Sequence, residues 1–273
     1  MIYSRPASID TSELDYLSQW TSVEAARKQL FNIGAGAWIH NCWTNLDLPP
    51  QSEAFAAIQA PCIYHDLVAN EKLPIESGTA AAFYCSHVVE HLPDTIVSQL
   101  FSECYRCLEP GGTLRLVTGP CADLDWSAMM RRDSRWWFWH DETVSESVGS
   151  QGKPQSIYDR WLHHVATPRS PWSSTYCDRK YTSSDIEVLV MNNKESPETL
   201  LEMLTTGLAY DYEAPGNHIS WWNARKLKEY MEKAGFSSIK RSAYGQSDVW
   251  YMRDLKYFDQ TYPQISVYVE ARK

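Results

Sequence analysis

The feature that most constrains the fold is a long amphipathic helix between two short apolar runs. Residues 93–108 carry apolar side chains at a helical period, and Pro93 suits the first turn of a helix. The apolar run 80–86 precedes this helix, and the run 113–118 follows it after a Pro-Gly-Gly stop at 110–112. A strand, a helix and a second strand at this spacing predict a βαβ unit in a mostly parallel sheet.

The segments around this unit continue the alternation. Thr21 and Glu24 have the spacing of a capping box, which predicts the start of a short helix. Near the other end, Asn223 is a good N-cap and Gly235 a good stop for a further helix. The predicted elements are a helix at 21–28, strands at 29–34, 43–47 and 62–66, a helix at 223–234, and strands at 238–243 and 265–271. This pattern predicts an α/β fold.

Between residues 121 and 217 the alternation stops. Pro168, Pro171 and polar turns leave one clear helical pattern, at 197–208. Six of the twelve tryptophans lie within 47 residues of this stretch, at positions 126, 136, 137, 139, 161 and 172. Large rigid aromatic faces suit a flat or cationic ligand. We therefore predict a Trp-rich, partly helical cap that is inserted on the sheet and forms a small-molecule pocket.

Composition excludes several other classes of protein. The 273 residues are 44% hydrophobic, yet no run approaches the roughly 18 apolar residues of a membrane span. The 25 Lys and Arg residues face 34 acids, a net charge of −9, so nucleic acid is not an expected partner. No secretory signal is visible, which predicts a cytoplasmic protein. The seven scattered cysteines are then expected to be thiols.

The first predicted strand leads into a Gly-x-Gly turn, and the second strand ends on an acid. Gly34 and Gly36 allow a ligand to approach the backbone closely, and Asp47 is placed to accept hydrogen bonds from ribose hydroxyls. The dinucleotide fingerprint needs a third glycine at the position of Ile39. The pattern therefore predicts a ribonucleotide site and argues against NAD.

Two motifs about one helix apart carry a family resemblance. The chain has SHVVEHLP at 86–93 and YRCLEPGGTLR at 105–115. Together they resemble the signature of class I S-adenosylmethionine-dependent methyltransferases of the methyltransferase type 11 group. The resemblance extends over residues 29–120 and 218–273. It implies a Rossmann-like sheet of seven strands with the last strand antiparallel, and S-adenosylmethionine as the cofactor.

The resemblance also implies which residues hold the cofactor. They are Asn32, Gly34 and Gly36 for the methionine part, Asp47 for the ribose, Asp66 and Leu67 for the adenine ring, and Ser86 and His87 for the sulfonium. The chain departs from the family at its first turn, where Trp38 replaces the third glycine. Only 13 positions separate Gly34 from Asp47, so the first crossover is expected to be short and to lack a full helix.

Catalytic and substrate residues are expected around the cap. His218 stands just before the matching helix 223–234, where this fold brings a loop over the cofactor, so it is the first choice for a general base. The other candidate bases are His140 and His163, and the expected substrate contacts are Trp139, Trp161, Arg169 and Trp221.

No metal site is expected from the sequence. The His-Asp-Glu run at 140–142 has ligand side chains, but consecutive residues rarely converge on one ion. The cysteine pair at 104 and 107 falls on the apolar stripe of its helix and is interpreted as core packing. The Glu-His pair at 90–91 is interpreted as ordering the loop after the fourth strand.

These interpretations predict four parts of the chain: an N-terminal lid at 1–20, a cofactor-binding core at 21–120, a cap at 121–217, and the rest of the core at 218–273. The function implied by the resemblance is in-line methyl transfer to an oxygen, nitrogen or carbon of a small-molecule acceptor. Two alternatives stay open. One is transfer or cyclisation of the aminocarboxypropyl arm of the same cofactor, and the other is cofactor binding without catalysis. The oligomeric state is not indicated.

Overall fold

The computed structural model of the chain describes residues 11–50, 53–69, 72–137 and 156–273. Seven strands of these residues form one sheet of order β3-β2-β1-β4-β5-β7-β6. The strands are β1 (Leu30–Ile33), β2 (Thr44–Asp47), β3 (Ile63–Tyr64), β4 (Ala80–Ser86), β5 (Leu108–Thr118), β6 (Ser238–Ser242) and β7 (Val267–Arg272). Strands β1 to β5 pair in parallel, whereas β7 is antiparallel to both β5 and β6. The predicted seven-stranded sheet with an antiparallel last strand is confirmed.

Some of the described helices pack on the sheet, and others form a separate core. The described helices are α1 (Thr11–Gln19), α2 (Val23–Arg27), α3 (Glu53–Ala56), α4 (Asp94–Cys107), α5 (Ala122–Met130), α6 (Ile157–Val165), α7 (Ser183–Asn192), α8 (Pro197–Thr205) and α9 (Ala224–Lys233). Among the described residues, no helix combines the length and the apolar character needed to cross a membrane.

Helix capping agrees with the prediction near one end of the chain and differs near the other. The side chain of Asn223 accepts a backbone N–H of the first turn of α9 at 2.8 Å. The predicted capping box at Thr21 is wrong, because Ser22 is the N-cap of α2 and accepts the N–H of Ala25 at 3.1 Å. With the start moved by one residue, Glu24 falls at the second helical position and not at the third, where a capping box needs its acid.

One face of the sheet is covered by α4 and α9. Leu100 of α4 and both Leu227 and Met231 of α9 are buried against strand side chains in a single apolar core. Cys104 and Cys107 lie in the same core and are fully buried, so the packing interpretation of this pair is confirmed. All seven cysteines are free thiols, as predicted.

The opposite face carries an aromatic core that contains the first crossover. Residues 34–43 connect β1 to β2 without a helix, so the predicted short crossover is confirmed. The ring of Phe258 lies close to two tryptophans of this crossover. Its centroid is 5.6 Å from that of Trp38 and 5.3 Å from that of Trp43. Trp43 also donates its indole N–H to the hydroxyl of Tyr16 at 2.9 Å. Aromatic packing thus stabilises a connection that lacks helical hydrogen bonds.

The described residues of the predicted N-terminal lid belong to this aromatic core. Tyr16 and Trp20 are buried, and their ring centroids lie 5.8 Å apart. Neither residue lines the cavity described below. Tyr3, the third aromatic residue of the predicted lid, lies outside the described residues.

A buried ion-pair network holds the chain between β6 and β7 against the sheet. Arg115 of β5 is 0% exposed and donates to both carboxylate oxygens of Asp259, at 3.1 and 2.5 Å. It also donates to Glu270 of β7 at 2.9 Å and to the carbonyl of Ala243 at 3.0 Å. Charge-assisted bonds of this kind offset the cost of burying the guanidinium, so the network fixes the segment that carries the aromatic core.

The described residues between 122 and 205 (122–137 and 156–205) form a region that we call the helical part, and it has an apolar core of its own. Helices α5 to α8 bury Trp137 and Trp161, both 0% exposed, together with Leu162 and Leu204. The ring of Trp126 meets that of Trp161 edge to face, with 5.6 Å between centroids. Trp126, Trp137 and Trp161 are therefore part of the core of this region.

Candidate functional site

A cavity of about 610 Å³ lies at the carboxyl ends of β1 to β4. Its volume is within the roughly 300–1,000 Å³ that small-molecule sites occupy. The sheet edge forms one wall, and residues 210–216, which we call the lining segment, contribute the other side. Parallel strands end at the same edge, which brings together residues that are distant in sequence. Six of the eight predicted cofactor residues line the cavity: Gly34, Gly36, Asp47, Asp66, Leu67 and His87.

The Gly-x-Gly turn after β1 approaches the loop after β4 too closely for a side chain. Gly34 has φ +67°, and a Cβ at this position would lie 2.2 Å from Cγ2 of Val88. Gly36 donates its N–H to Oδ2 of Asp47 at 2.7 Å, which holds the turn against the end of β2. A Cβ on Gly36 would meet no atom within 4 Å. Because Gly36 lines the cavity, this open space is available to a ligand.

Tyrosines of the lining segment reach across to the loop after β3. The hydroxyl of Tyr212 donates to Oδ2 of Asp66 at 2.9 Å, and the rings of Tyr210 and Tyr212 meet edge to face at 4.9 Å. Burial, with Asp66 nearby, raises the pKa of Tyr210 to about 12. Sequence reasoning missed both tyrosines. Their signal is a Tyr-Asp-Tyr run at 210–212, just upstream of the segment that resembles the family.

Glu90 is the centre of a hydrogen-bond network behind the cavity. Its side chain is buried, accepts the hydroxyl of Thr118 at 2.7 Å, and has Oε1 3.0 Å from Nδ1 of His87. Burial by itself raises the pKa of Glu90, but the neighbouring His87 and His91 outweigh it and lower the pKa to about 2. Glu90 therefore stays ionised and orders the loop after β4, as predicted.

His87 is held in place on both sides of its ring. Besides Glu90, its Nε2 lies 2.9 Å from the hydroxyl oxygen of Ser266. Its backbone adopts the left-handed region with φ +55°, which non-glycine residues rarely occupy. A Cβ on Gly119 would lie 2.8 Å from Cε1 of this ring, so only glycine allows the close approach. The surrounding contacts thus fix one orientation of His87 in the cavity wall.

His218, the first choice for a general base, does not line the cavity, but its neighbour His91 does. His91 is part of the cavity wall, whereas His218 packs behind it, with 4.9 Å between ring centroids. Burial lowers the pKa of His218 well below its ordinary value, and His91 and His164 lower it further. His218 is therefore a neutral imidazole one layer removed from the cavity.

Two predicted cofactor residues lie next to the cavity and not in its wall. Asn32 is buried in β1, where its amide donates to Oδ1 of Asn45 at 3.3 Å. Ser86 ends β4, and its buried hydroxyl has no hydrogen-bond partner among the described residues. His65, which sequence reasoning missed, lines the cavity and has an unpartnered Nε2 within the same described ranges. Burial lowers the pKa of His65 and so favours its neutral form.

Two expected substrate contacts lie inside the apolar core of the helical part. Trp161 is 0% exposed and Trp221 is 7% exposed, and neither lines the cavity. The indole N–H of Trp221 donates to Oε2 of Glu202 at 3.1 Å. The ammonium of Lys226 lies 4.4 Å above the centroid of the Trp221 ring. These contacts favour a packing role for both tryptophans over the predicted contact with a substrate.

Arg169 was also expected to contact the substrate, but its guanidinium is engaged within the protein. It donates to the carbonyls of Leu204 at 3.2 Å and Thr206 at 3.0 Å, and it pairs with Asp178. The carbonyl of Arg179 accepts a further bond at 3.2 Å. Arg169 therefore ties its own turn to the end of α8, and this placement favours a structural role.

The remaining candidates divide into one half-buried histidine and two residues outside the described ranges. His163 lies on α6, away from the cavity wall. Burial lowers its pKa to about 4, with contributions from His164 and Lys180. Trp139 and His140 lie outside the described residues.

The sheet order and the cavity at the strand ends are those of a Rossmann-like class I methyltransferase fold. A comparison with protein families matches residues 38–116 to a family described as a methyltransferase domain. This segment contains both motifs, so the chain carries a class I S-adenosylmethionine-dependent methyltransferase domain. The cofactor of this domain is S-adenosylmethionine.

Solved structures that resemble the chain have related descriptions. A SAM-dependent methyltransferase from Thermotoga maritima has 12% identity and TM-score 0.38, covering 95% of this chain and 96% of its own. One from Archaeoglobus fulgidus has 12% identity and TM-score 0.41, at 96% and 94% coverage. One from Mesorhizobium loti has 15% identity and TM-score 0.39, at 96% and 98% coverage. A comparison with curated proteins found no match.

The residues of the cavity fit this cofactor on structural grounds. The open space at Gly36 admits a ligand close to the backbone. The carboxylate of Asp47 offers acceptor oxygens at the end of β2, and the unpartnered Nε2 of His65 offers a polar contact in the cavity wall. The cavity therefore offers polar groups that suit the hydroxyl and ring nitrogen groups of this cofactor.

Proposed function

We propose that the protein is an enzyme that methylates a small-molecule acceptor with S-adenosylmethionine. The observation that carries this proposal is the covered cavity in which the glycine turn, Asp47 and His87 converge beneath the lining segment. A cavity of this volume, with a wall from the lining segment, suits a small ligand better than an extended macromolecule. The acceptor atom is an oxygen, nitrogen or carbon.

In this proposal three groups of residues hold the cofactor. The turn at Gly34 and Gly36 lets the methionine part approach the backbone, and Asp47 accepts the ribose hydroxyls. Asp66 and Leu67, in the loop after β3, flank the adenine ring. When bound, S-adenosylmethionine supplies a methyl group that its sulfonium has already activated.

The lining segment supplies the acceptor side of the proposed site. Tyr210 keeps its phenol protonated because its pKa is raised, so it serves as a hydrogen-bond donor. Tyr212, bonded to Asp66, ties the segment across the cavity to the loop after β3. Since His91 lines the cavity and His218 does not, we propose His91 as the histidine that contacts the acceptor. Holding the acceptor in line with the methyl group is then the main catalytic contribution.

The experiment that tests this function uses methyl-labelled S-adenosylmethionine and a metabolite extract, with mass spectrometry to detect products. We expect a methylated metabolite together with S-adenosylhomocysteine. Methylthioadenosine as the product would instead indicate transfer or cyclisation of the aminocarboxypropyl arm. Binding of S-adenosylhomocysteine without turnover would contradict the proposal of an enzyme.

Two glycine variants locate the cofactor within the cavity. Gly36 and Gly78 share a positive φ, +51° and +72°, and in both cases a Cβ would meet no atom within 4 Å. Only Gly36 lines the cavity. We expect Gly36→Ala and Gly78→Ala to show similar losses in melting temperature, while only Gly36→Ala weakens S-adenosylhomocysteine binding in calorimetry. Equal affinities in the two variants would place the cofactor elsewhere.

A further inference from the structure

Three metal-ligating side chains from distant parts of the sequence meet behind the cavity wall. Glu90 and His91 stand in the loop after β4, and His218 arrives from the segment that precedes α9. One ligand atom of each residue lies within 4.8 Å of the other two. The sequence predicted no metal site, and it gives no sign of this cluster, since His218 is far from the Glu-His pair along the chain.

Hydrogen bonds orient both imidazoles through the same ring nitrogen. Nδ1 of His91 lies 3.1 Å from the carbonyl of Asn217, and Nδ1 of His218 lies 2.5 Å from the carbonyl of His164. A carbonyl oxygen only accepts, so each Nδ1 carries the proton and donates it. Within the described residues, no hydrogen bond engages either Nε2. A backbone carbonyl that fixes the tautomer and exposes the other nitrogen is typical of histidines that bind metals.

The carboxylate of Glu90 is held equally firmly. It accepts from the hydroxyl of Thr118 at 2.7 Å and from the N–H of Gly119 at 3.4 Å, and it contacts Nδ1 of His87 at 3.0 Å. A carboxylate offers about four lone-pair positions, so roughly one is left for a further ligand. With a relative exposure of 1%, Glu90 is shielded from bulk water. The three side chains are thus arranged before any ion binds.

We propose that Glu90, His91 and His218 bind a divalent first-row transition metal ion of the Zn²⁺ type. Two imidazoles and one carboxylate form a donor set that Zn²⁺ and similar ions accept, with positions left open for another ligand. Mg²⁺ is a poor match, because it prefers oxygen ligands in octahedral geometry. Metal–ligand distances of about 2.1 Å require ligand atoms roughly 3.4 Å apart, so movements of about 1 Å would close the site.

The position of this ion would connect it to the acceptor. His91 also lines the cavity, so the ion would stand at the boundary between the cavity and the residues behind it. This connection rests on the proposed function. An open coordination position there suits an acceptor that carries a hydroxyl or another oxygen donor, and it would hold that oxygen near His87. The acceptor class indicated by the site is therefore an oxygen-bearing small molecule.

The test measures binding of Zn²⁺ alone to the purified full chain after treatment with a chelator and removal of the chelator. We expect one Zn²⁺ per chain by elemental mass spectrometry, and in competition calorimetry an excess of Mg²⁺ should not displace the bound Zn²⁺. His91→Ala and His218→Ala should each weaken Zn²⁺ binding by at least about 100-fold. Co²⁺ should give a visible d–d spectrum that both variants lose.

The matched control is His163→Ala, a half-buried histidine outside the cluster, and this variant should bind Zn²⁺ within about twofold of the parent. Glu90→Gln is informative if it folds, and the two histidine variants decide the question if it does not. A change below tenfold in both histidine variants, or Mg²⁺ binding as tightly as Zn²⁺, would overturn the proposal. S-adenosylhomocysteine affinity is measured separately, so that failure of the metal site and failure of the proposed function are distinguished.

Discussion

The helical part and the lining segment come from the same stretch of sequence, yet they differ in what their aromatic residues do. The helical part, residues 122–205, buries Trp137 and Trp161 in its own core. The lining segment, residues 210–216, places Tyr210 and Tyr212 in the cavity wall. Among the described residues, the aromatic side chains that this stretch contributes to the cavity wall are these two tyrosines and none of its tryptophans.

The difference has a physical cause in the two side chains. A helical region that packs on a sheet needs apolar area for its own core, and an indole ring buries more of it than other side chains. Tyrosine combines an aromatic face with a hydroxyl that needs a polar partner, which the edge of the sheet supplies as Asp66. Aromatic residues with a polar tip are thus better markers of this cavity than aromatic residues in general.

The largest expected effect is on the helical part. Trp161→Ala should lower the free energy of unfolding by about 3–5 kcal/mol, because it empties a fully buried site. Urea denaturation measures this loss, and calorimetry on the folded variant should give an unchanged affinity for S-adenosylhomocysteine. Trp250→Ala is the control, since Trp250 is 41% exposed and should cost about 1 kcal/mol or less. A stable Trp161→Ala protein with poor ligand binding would instead show that Trp161 contributes to the ligand site and not to the core of the helical part.

The helical part should also be sensitive to acid through His163. Its pKa of about 4 in the folded protein lies below the ordinary 6.5, because burial disfavours the charged form. The stability that this neutral form contributes is complete above about pH 6.5 and is lost as the pH falls toward 4. Between pH 7 and pH 5 the contribution should fall by about 2 kcal/mol.

Chemical denaturation of the parent and of His163→Gln at both pH values checks this contribution. Gln is neutral throughout, so the variant should lose about 2 kcal/mol less than the parent over the same interval. His164 and Lys180, which face His163, are present in both proteins and cancel in the difference. If the stability of the two proteins changed equally with pH, His163 would not be the source of this acid sensitivity.

On the cavity side, the largest expected effect comes from Asp47. Asp47→Ala removes charge-assisted hydrogen bonds worth about 1.5–3 kcal/mol, so S-adenosylhomocysteine affinity should fall roughly ten- to a hundred-fold. Stability should change less, although the bond from the Gly36 N–H is lost as well. Glu53→Ala provides an exposed acidic control outside the cavity wall. Normal affinity in a folded Asp47→Ala protein would show that the ribose binds elsewhere.

The smallest expected effect concerns the tyrosine that closes the lining segment. Tyr212→Phe removes the 2.9 Å bond to Asp66, a loss of about 0.5–1.5 kcal/mol, and should weaken S-adenosylhomocysteine binding by roughly two- to tenfold. Tyr176→Phe is the matched control, because Tyr176 is 90% exposed. Calorimetry with both variants separates closure of the cavity from a general effect of losing a phenol. Equal affinities would show that Tyr212 does not close the cavity.

Short-range patterns in the sequence were sufficient for the core of the fold. The helix that became α4 and the strands β4 and β5 around it follow from local periodicity and from the stop at 110–112. The resemblance then placed the cofactor residues at strand ends, and six of the eight line one cavity because parallel strands share an edge. The capping box failed because Thr21 and Ser22 are both good N-caps, and local sequence does not distinguish them.

Only the tertiary structure decided which distant side chains meet. Whether Trp161 faces a core or a pocket depends on how four helices pack, and helical periodicity does not specify the neighbour of an apolar face. Arg169 is charged in any fold, but the backbone carbonyls that engage it come from the end of α8. The approach of His218 to His91 likewise requires the whole of the intervening chain to return to the sheet edge. Sequence determines local conformation through short-range sterics and hydrogen bonds, whereas these contacts depend on long-range packing.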